Sequence, residues 1–173
     1  FTLLIAIVLT APAFAGDPPQ VGSNAPDFTL SYATKDTIVS KGFTLSTSLG
    51  TNTIILAFYP GNWSGGCTKE MCTMRDNFAS LSELGATVYG ISGDYVWSHR
   101  EWAKQLDLQF ALLSDHDHAV AKAYSSYNPE TGYNKRTVYV IDRSGKVAYI
   151  DPDYRVATDD SFNKLKSALK AIQ

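Results

Sequence analysis

Cysteine is scarce in this chain: Cys67 and Cys72 are the only two among 173 residues. Four residues separate them, so the Cys-x-x-Cys motif that thiol–disulfide oxidoreductases normally require is absent. The chain also lacks a basic excess or a run of Lys and Arg, and its formal net charge is −2. Nucleic acid is therefore not expected as a partner. No internal repeat is evident, and 45% hydrophobic residues predict one ordinary domain with its own core.

Charge is missing altogether from the first 15 residues, which read FTLLIAIVLTAPAFA. The stretch ends in Ala13-Phe14-Ala15, a small-x-small pattern typical of cleavage after a signal peptide. We interpret residues 1–15 as a signal peptide, and we expect an exported protein, either periplasmic or secreted. A membrane anchor is the alternative, although the run is short for a span that needs about 20 residues. Without the signal, no stable membrane association is expected.

The rest of the chain divides by composition. Residues 16–26 are polar and rich in Pro and Gly, which predicts a linker. Residues 27–173 then form the domain.

Hydrophobic patterns predict strands alternating with helices in this domain. The strands are predicted at residues 28–30, 42–45, 53–59, 86–92, 110–113, 137–141 and 147–150. Helices are predicted at about 67–84, ending at Gly85, at 97–106, at 119–124, and at the C-terminus with Phe162, Leu165, Leu169 and Ile172 on one face. This order predicts an α/β protein with a thioredoxin-like fold, in which helices flank both faces of a mixed central β-sheet.

Both cysteines lie where a buried strand runs through a Pro/Gly loop into a helix, in the stretch FYPGNWSGGCTKEMC at residues 58–72. Cys67 falls at the start of the predicted helix. A helix N-terminus carries partial positive charge and free N–H groups, which favour a thiolate over a thiol. Cys67 is therefore a candidate nucleophile.

The spacing of the two cysteines restricts how they can bond. Five residues on an α-helix correspond to about 7.5 Å along the axis, and the Cα atoms lie roughly 8–9 Å apart. A disulfide needs Cα atoms within about 7 Å. The two could bond only if the helix unwinds locally, which suits a redox cycle. The alternative is a structural bridge, which an oxidising compartment would permit but which would close too short a loop to stabilise much.

On these residues the chain resembles the peroxiredoxins, and it is most similar to the Q-type, or bacterioferritin-comigratory-protein-like, subgroup of the AhpC/TSA family. The family motif Pro-x-x-x-Thr/Ser-x-x-Cys reads here from Pro60 through Ser64 to Cys67. The subgroup motif Gly-Cys-Thr-x-Glu-x-Cys reads from Gly66 to Cys72, and the family arginine that opens a late strand matches Arg136. The likeness spans about residues 21–155.

Two positions depart from the pattern. Ser64 replaces the commoner Thr and keeps the hydroxyl, so we expect function to survive. Gly65 stands where the subgroup often has Pro, which loosens the entry to the helix.

The resemblance implies a role for each site residue. Cys67 attacks the peroxide, and Cys72 resolves the product as an intramolecular disulfide. The supporting groups are Arg136, which stabilises the thiolate and holds the peroxide, Ser64, which offers its hydroxyl, Pro60, which shields the thiolate from water, and Glu70, which orients Arg136 through an ion pair. Taken singly, each supporting residue has a structural alternative: a strand end, a helix cap, a surface strand residue or a solvated charge. Their joint spacing favours the catalytic interpretation.

The implied partners are hydrogen peroxide or an organic hydroperoxide and a thioredoxin-like or other dithiol reductant. No cofactor is implied, and the subgroup suggests a monomer or a weak dimer. The alternative from another class is a copper-binding assembly factor of the SCO type, which also has a thioredoxin-like fold. That family uses Cys-x-x-x-Cys with a distant His, whereas four residues separate the cysteines here. A non-enzymatic structural domain is a further alternative.

One other cluster could bind a ligand. Asp115, His116, Asp117 and His118 follow one another and could hold a metal. An acidic helix start is the simpler interpretation.

Overall fold

The structure, a computed structural model, describes residues 17–173; the predicted signal peptide at residues 1–15 lies outside the described residues. Its strands are β1 (Thr29–Ala33), β2 (Ile38–Thr44), β3 (Thr53–Phe58), β4 (Ala86–Ser92), β5 (Ala111–Ser114), β6 (Tyr127–Asn128), β7 (Tyr133–Asn134), β8 (Thr137–Ile141) and β9 (Val147–Asp151). Its helices are α1 (Gly65–Asp76), α2 (Phe78–Glu83), α3 (Val96–Gln105), α4 (Ala119–Ala123) and α5 (Asp160–Ala171).

Seven strands form one mixed sheet in the order β2-β1-β5-β4-β3-β8-β9. Strands β3, β4 and β5 are parallel neighbours, and the other pairings are antiparallel. All six residues of β3 are buried, because β3 lies between β4 and β8 and both faces of the sheet are covered. The predicted α/β, thioredoxin-like class is confirmed.

Hydrophobic side chains form a core on each face of the sheet. Helices α1, α2, α3 and α5 cover one face, through residues that include Met71, Leu81, Trp102 and Leu165. Helix α4 covers the other face, where Tyr124 packs near Phe58 and Tyr139. The sheet therefore has helices on both faces, as the sequence predicts.

The predicted helix over residues 67–84 is wrong as one continuous element. It begins two residues earlier, at Gly65, and a break at Asn77 separates α1 from α2. At the break, the Asn77 side chain donates a hydrogen bond to the carbonyl of Thr73 at 2.9 Å. The predicted C-terminal stop is correct, because Gly85 adopts a left-handed φ of 61° directly after α2 and Leu84.

Other details also differ from the sequence prediction. The strand predicted at 42–45 spans Ile38–Thr44, and the strand predicted at 28–30 spans Thr29–Ala33. Ile172 lies beyond the end of α5 and is partly exposed, so it does not share the buried face of Phe162, Leu165 and Leu169. The short β6–β7 hairpin was not predicted.

Residues 20–25 lie against the β8–β9 turn. Gly22 donates its N–H to the carbonyl of Val147 at 2.8 Å, and Ala25 donates to Gly145 at 2.9 Å. Asn24 forms an isolated bridge with Lys146.

A search of residues 17–173 finds no helix with both the length and the apolar character needed to cross a membrane.

Candidate active site

The site lies at the carboxyl end of the central strand β3, where the chain turns into α1. Ser64 caps α1: its hydroxyl accepts a hydrogen bond from the N–H of Cys67 at 3.3 Å. The carbonyl of Ser64 accepts from both the N–H and the hydroxyl of Thr68, each at 2.9 Å. The cap fixes Cys67 in the first turn of the helix, where its side chain is fully buried.

Arg136 reaches this helix from a distant part of the sequence. It precedes β8, which runs antiparallel to β3 with Thr137 opposite Phe58. The pairing brings Arg136 to the end of β3, beside α1. Its Nη2 donates a hydrogen bond to the sulfur of Cys67 at 3.3 Å, and its Nη1 donates to Oε2 of Glu70 at 2.6 Å. One guanidinium therefore holds both the thiol and the carboxyl group.

Gly66 gives this guanidinium room. A Cβ atom built on Gly66 would lie 2.7 Å from Nη2 of Arg136, which is too close for a non-bonded contact. Any larger residue would displace the donor from the Cys67 sulfur. The glycine before the cysteine is therefore a steric requirement of the Arg136 contact.

Glu70 is fully buried, and its only charged hydrogen-bond partner in the described residues is Arg136. Burial raises the pKa of Glu70 to about 7, and the charge and hydrogen bond of Arg136 oppose this rise. Burial lowers the pKa of Arg136, but the attraction of Glu70 and Cys67 outweighs that effect and leaves it above its ordinary value. Each of the two side chains therefore stabilises the charged form of the other.

Cys72 lies on the same helix as Cys67, five residues further on, and is half-buried against the core. Both thiols are free within residues 17–173. The helix is continuous from Gly65 to Asp76, so helix geometry places the Cα atoms of the two cysteines too far apart for a disulfide.

Pro60 follows β3 after Tyr59 and is half-buried. It lines an open cleft together with Asn62, Asp94, His118 and Tyr133. The structure therefore brings Cys67, Arg136, Glu70 and Ser64 into direct contact, with Pro60 in the loop between Phe58 and Ser64 and Cys72 two turns along α1.

A set of polar residues that no sequence motif predicts lies behind the loop. Asn62 is buried and hydrogen-bonds to Tyr59, Asp94 and Ser98. Behind them, Ser92 contacts the fully buried His99 at 2.9 Å. Burial lowers the pKa of His99 to about 4, so this ring is neutral at pH 7. Asn62 falls at an unspecified position of the Pro-x-x-x-Thr/Ser-x-x-Cys motif, so the motif gives no indication of it.

The candidate metal cluster is a helix start. Asp115 is buried, and its carboxylate accepts the N–H groups of Val120 and Ala121 at 3.1 and 2.7 Å. Asp117 accepts the N–H of Ala119 at 3.0 Å. Over residues 17–173, no group of three or more His, Cys, Asp and Glu side chains could hold a metal ion.

The fold and the site define a class: a thioredoxin-like domain with a buried thiol at a helix start and an arginine in contact with it. The solved structure of peroxidoxin BcpB from Mycobacterium tuberculosis has this fold, with a TM-score of 0.77, 30% identity, and coverage of 90% of this chain and 99% of that one. A sequence model of the AhpC/TSA family matches residues 21–150. The chain belongs to the AhpC/TSA family.

Named relatives agree with this assignment. Peroxiredoxin Bcp of Bacillus subtilis is 31% identical over 134 residues, which is 74% of this chain and 82% of that protein. The chloroplastic peroxiredoxin Q of Oryza sativa subsp. japonica is 38% identical over 130 residues, which is 75% of this chain and 57% of the rice protein. The chain has homologues of the Bcp and Q types and is a thiol peroxidase of the peroxiredoxin kind. None of the reported comparisons supports the copper-binding alternative.

Proposed function

We propose that Cys67 is the peroxidatic residue and Cys72 the resolving residue of this thiol peroxidase. The observation that carries the proposal is the Arg136 guanidinium, which donates at once to the Cys67 sulfur and to the buried Glu70. A fixed cation beside the sulfur favours the thiolate and can also hold a peroxide oxygen.

The first step is a displacement on oxygen. The Cys67 thiolate attacks one peroxide oxygen, an S–O bond forms, and the O–O bond breaks. The leaving oxygen takes a proton and departs as water or an alcohol, and Cys67 becomes a sulfenic acid. Arg136, which donates to the Cys67 sulfur through Nη2, is placed to stabilise the charge that develops on the oxygens. The N–H of Cys67 donates to the Ser64 hydroxyl, which leaves the hydrogen of that hydroxyl free to donate to a peroxide oxygen.

The second step joins the two cysteines. The Cys72 thiol attacks the Cys67 sulfenic sulfur, a disulfide forms and water leaves. Since an intact α1 holds the two residues too far apart, the helix must unwind between them first. An external dithiol then reduces the disulfide by exchange. We infer a thioredoxin-like donor, by analogy with the family.

The direct test is peroxide turnover with a dithiol donor. Cys67→Ser should abolish it, because the serine hydroxyl is not ionised at neutral pH. Cys72→Ser should consume one equivalent of peroxide and form no intramolecular disulfide. Cu(I) titration in parallel tests the copper alternative. Turnover by Cys67→Ser above a trace, or stoichiometric Cu(I) binding without peroxidase activity, would overturn the proposal.

We also propose that the protein acts outside the cytoplasm as a monomer or weak dimer. The uncharged apolar run at residues 1–15 and the Ala13-Phe14-Ala15 pattern support export. N-terminal sequencing of exported material should begin at Gly16. Recovery of the intact chain from the cytosol would contradict export. Sedimentation of the mature protein over a range of concentrations tests the oligomeric state.

A further inference from the structure

The loop between Pro60 and Ser64 has an unusual backbone. Trp63 adopts a φ of 66°, a left-handed conformation that is uncommon for a bulky residue. Its side chain is 54% exposed, so burial alone does not hold it there. Its indole Nε1 donates a hydrogen bond to the hydroxyl of Ser98 on α3 at 3.2 Å. Specific contacts must therefore maintain the loop conformation.

Asn62, the preceding residue, uses three of its polar atoms to fix the loop. Its N–H donates to Oδ2 of Asp94 at 2.8 Å, and its Nδ2 donates to the hydroxyl of Ser98 at 2.8 Å. Its Oδ1 accepts from the hydroxyl of Tyr59 at 2.8 Å. We call Asn62 and these three partners the Asn62 clamp.

The partners lie in or directly after three different elements. Tyr59 is fully buried at the end of β3, and Ser98 is in α3. Asp94, just after β4, accepts a further hydrogen bond from Ser92 at 2.8 Å. The clamp therefore ties the loop to parts of the domain that do not belong to α1.

The clamp and the catalytic helix are adjacent in sequence. Only Trp63 stands between Asn62 and Ser64, whose side chain and carbonyl cap the first turn of α1. That turn must open before Cys67 can reach Cys72. A loop fixed at Asn62 keeps the cap in place and opposes this opening.

We propose that Asn62 and Ser98 are positioning residues that hold the Cys67 turn closed and so set the rate at which the sulfenic acid reaches Cys72. This inference rests on the proposed two-cysteine cycle. A tight clamp leaves the Cys67 sulfenic acid in the closed pocket for longer. There a second peroxide molecule can oxidise it to sulfinic acid before Cys72 attacks.

The test uses single-turnover oxidation of the full mature chain with hydrogen peroxide. Disulfide formation is followed by non-reducing mass spectrometry of quenched samples, and Cys67 sulfinic acid is quantified against peroxide concentration. Asn62→Ala and Ser98→Ala should each speed disulfide formation by about five- to tenfold, the effect of one or two lost hydrogen bonds. Both should lower the yield of sulfinic acid.

Two controls separate positioning from general weakening of the fold. Asn52→Ala removes an exposed asparagine hydrogen bond, from Nδ2 to the hydroxyl of Thr87 at 3.0 Å, at the opposite end of β3, and should leave both readouts unchanged. Ser98→Thr keeps the hydroxyl and should restore wild-type behaviour. If Asn62→Ala does not fold, the comparison of Ser98→Ala with Ser98→Thr is a sufficient test by itself.

The outcomes distinguish the clamp from the proposed function. If the sulfenic acid forms normally but Asn62→Ala and Ser98→Ala make the disulfide at the wild-type rate, the clamp is wrong and the two-cysteine cycle stands. If Asn52→Ala accelerates the disulfide equally, the effect is general destabilisation and the clamp is again wrong. If the wild type forms no Cys67–Cys72 disulfide at all, both proposals fail.

Discussion

Arg136 is the residue on which the electrostatics of the site depend. Its guanidinium has donors in a fixed fork, so one side chain can contact Cys67 and Glu70 at the same time. A lysine could place a charge there but could not reproduce the fork. The buried Glu70 in turn limits where the guanidinium can lie.

Replacing Arg136 by Met should slow the reaction with peroxide by a factor of about a hundred or more, because a charge and a transition-state donor are both lost. Stopped-flow measurement of the second-order rate constant tests this. The rate constant of Arg136→Lys should lie between those of Arg136→Met and wild type. An unchanged rate in Arg136→Met would show that this residue has only a structural role.

Glu70 should make stability depend on pH in an unusual direction. Its folded pKa of about 7 lies above the ordinary value of 4.5, so the folded state binds more protons than the unfolded state between these values. The stabilising contribution is therefore full below about pH 4.5 and is lost as the pH rises through 7. The change amounts to about 3 kcal/mol.

Urea denaturation of wild type and Glu70→Gln between pH 4.5 and 8 measures this contribution. The free energy of unfolding of wild type, minus that of the variant, should decrease as the pH rises. A difference that is constant or increases with pH would mean that Glu70 is ionised throughout.

At the scale of the elements, the first turn of α1 has a low intrinsic helix propensity. It begins with Gly65 and Gly66, and glycine is a poor helix former. The Ser64 cap and the Arg136 contacts compensate at this end of the helix. The turn whose opening the proposed disulfide step requires therefore has the least favourable helix propensity in α1.

Gly65→Pro should stabilise the protein by about 0.4–1 kcal/mol, since proline is favoured at the first helical position and restricts the unfolded chain. The preceding Ser64 has φ −78° and ψ 145°, the extended conformation that a following proline requires. The midpoint of urea denaturation measures the gain. A lower midpoint would mean that Gly65 needs a backbone conformation closed to proline.

Oxidation should expose α1 to exchange. Once Cys67 and Cys72 are bonded, hydrogen exchange of residues 67–75 should rise, while β3 and β4 stay protected. Mass spectrometry of reduced and oxidised protein compares the two states, with Cys72→Ser as the control in which no rise is expected. Equal protection of α1 in both states would contradict local unwinding.

The same elements show what sequence could and could not predict. Strands β4 and β8 match their predicted bounds, because continuous apolar runs between turn residues are strong local signals. The break at Asn77 depends on a side chain bonding to Thr73, which the apolar pattern does not reveal. The β6–β7 hairpin has only two residues in each strand, too few for a pattern.

At the scale of the whole molecule, the site is assembled across long stretches of sequence. The contact of Arg136 with Cys67 spans 69 residues and depends on the pairing of β8 with β3. The family motifs identify both residues from the sequence, but they do not show that the fold brings the two side chains into contact. The Asn62 clamp spans 32 and 36 residues to Asp94 and Ser98, and no motif marked it.

The central claim is that Cys67 alone reacts with peroxide and Cys72 alone resolves the product. Single-turnover oxidation of wild type, Cys67→Ser and Cys72→Ser with one equivalent of hydrogen peroxide, mapped by non-reducing mass spectrometry, tests it most directly. We expect a Cys67–Cys72 disulfide in wild type, a Cys67 sulfenic acid in Cys72→Ser, and no oxidation in Cys67→Ser. Rapid oxidation of Cys72 in Cys67→Ser, or a wild type with no internal disulfide, would contradict it.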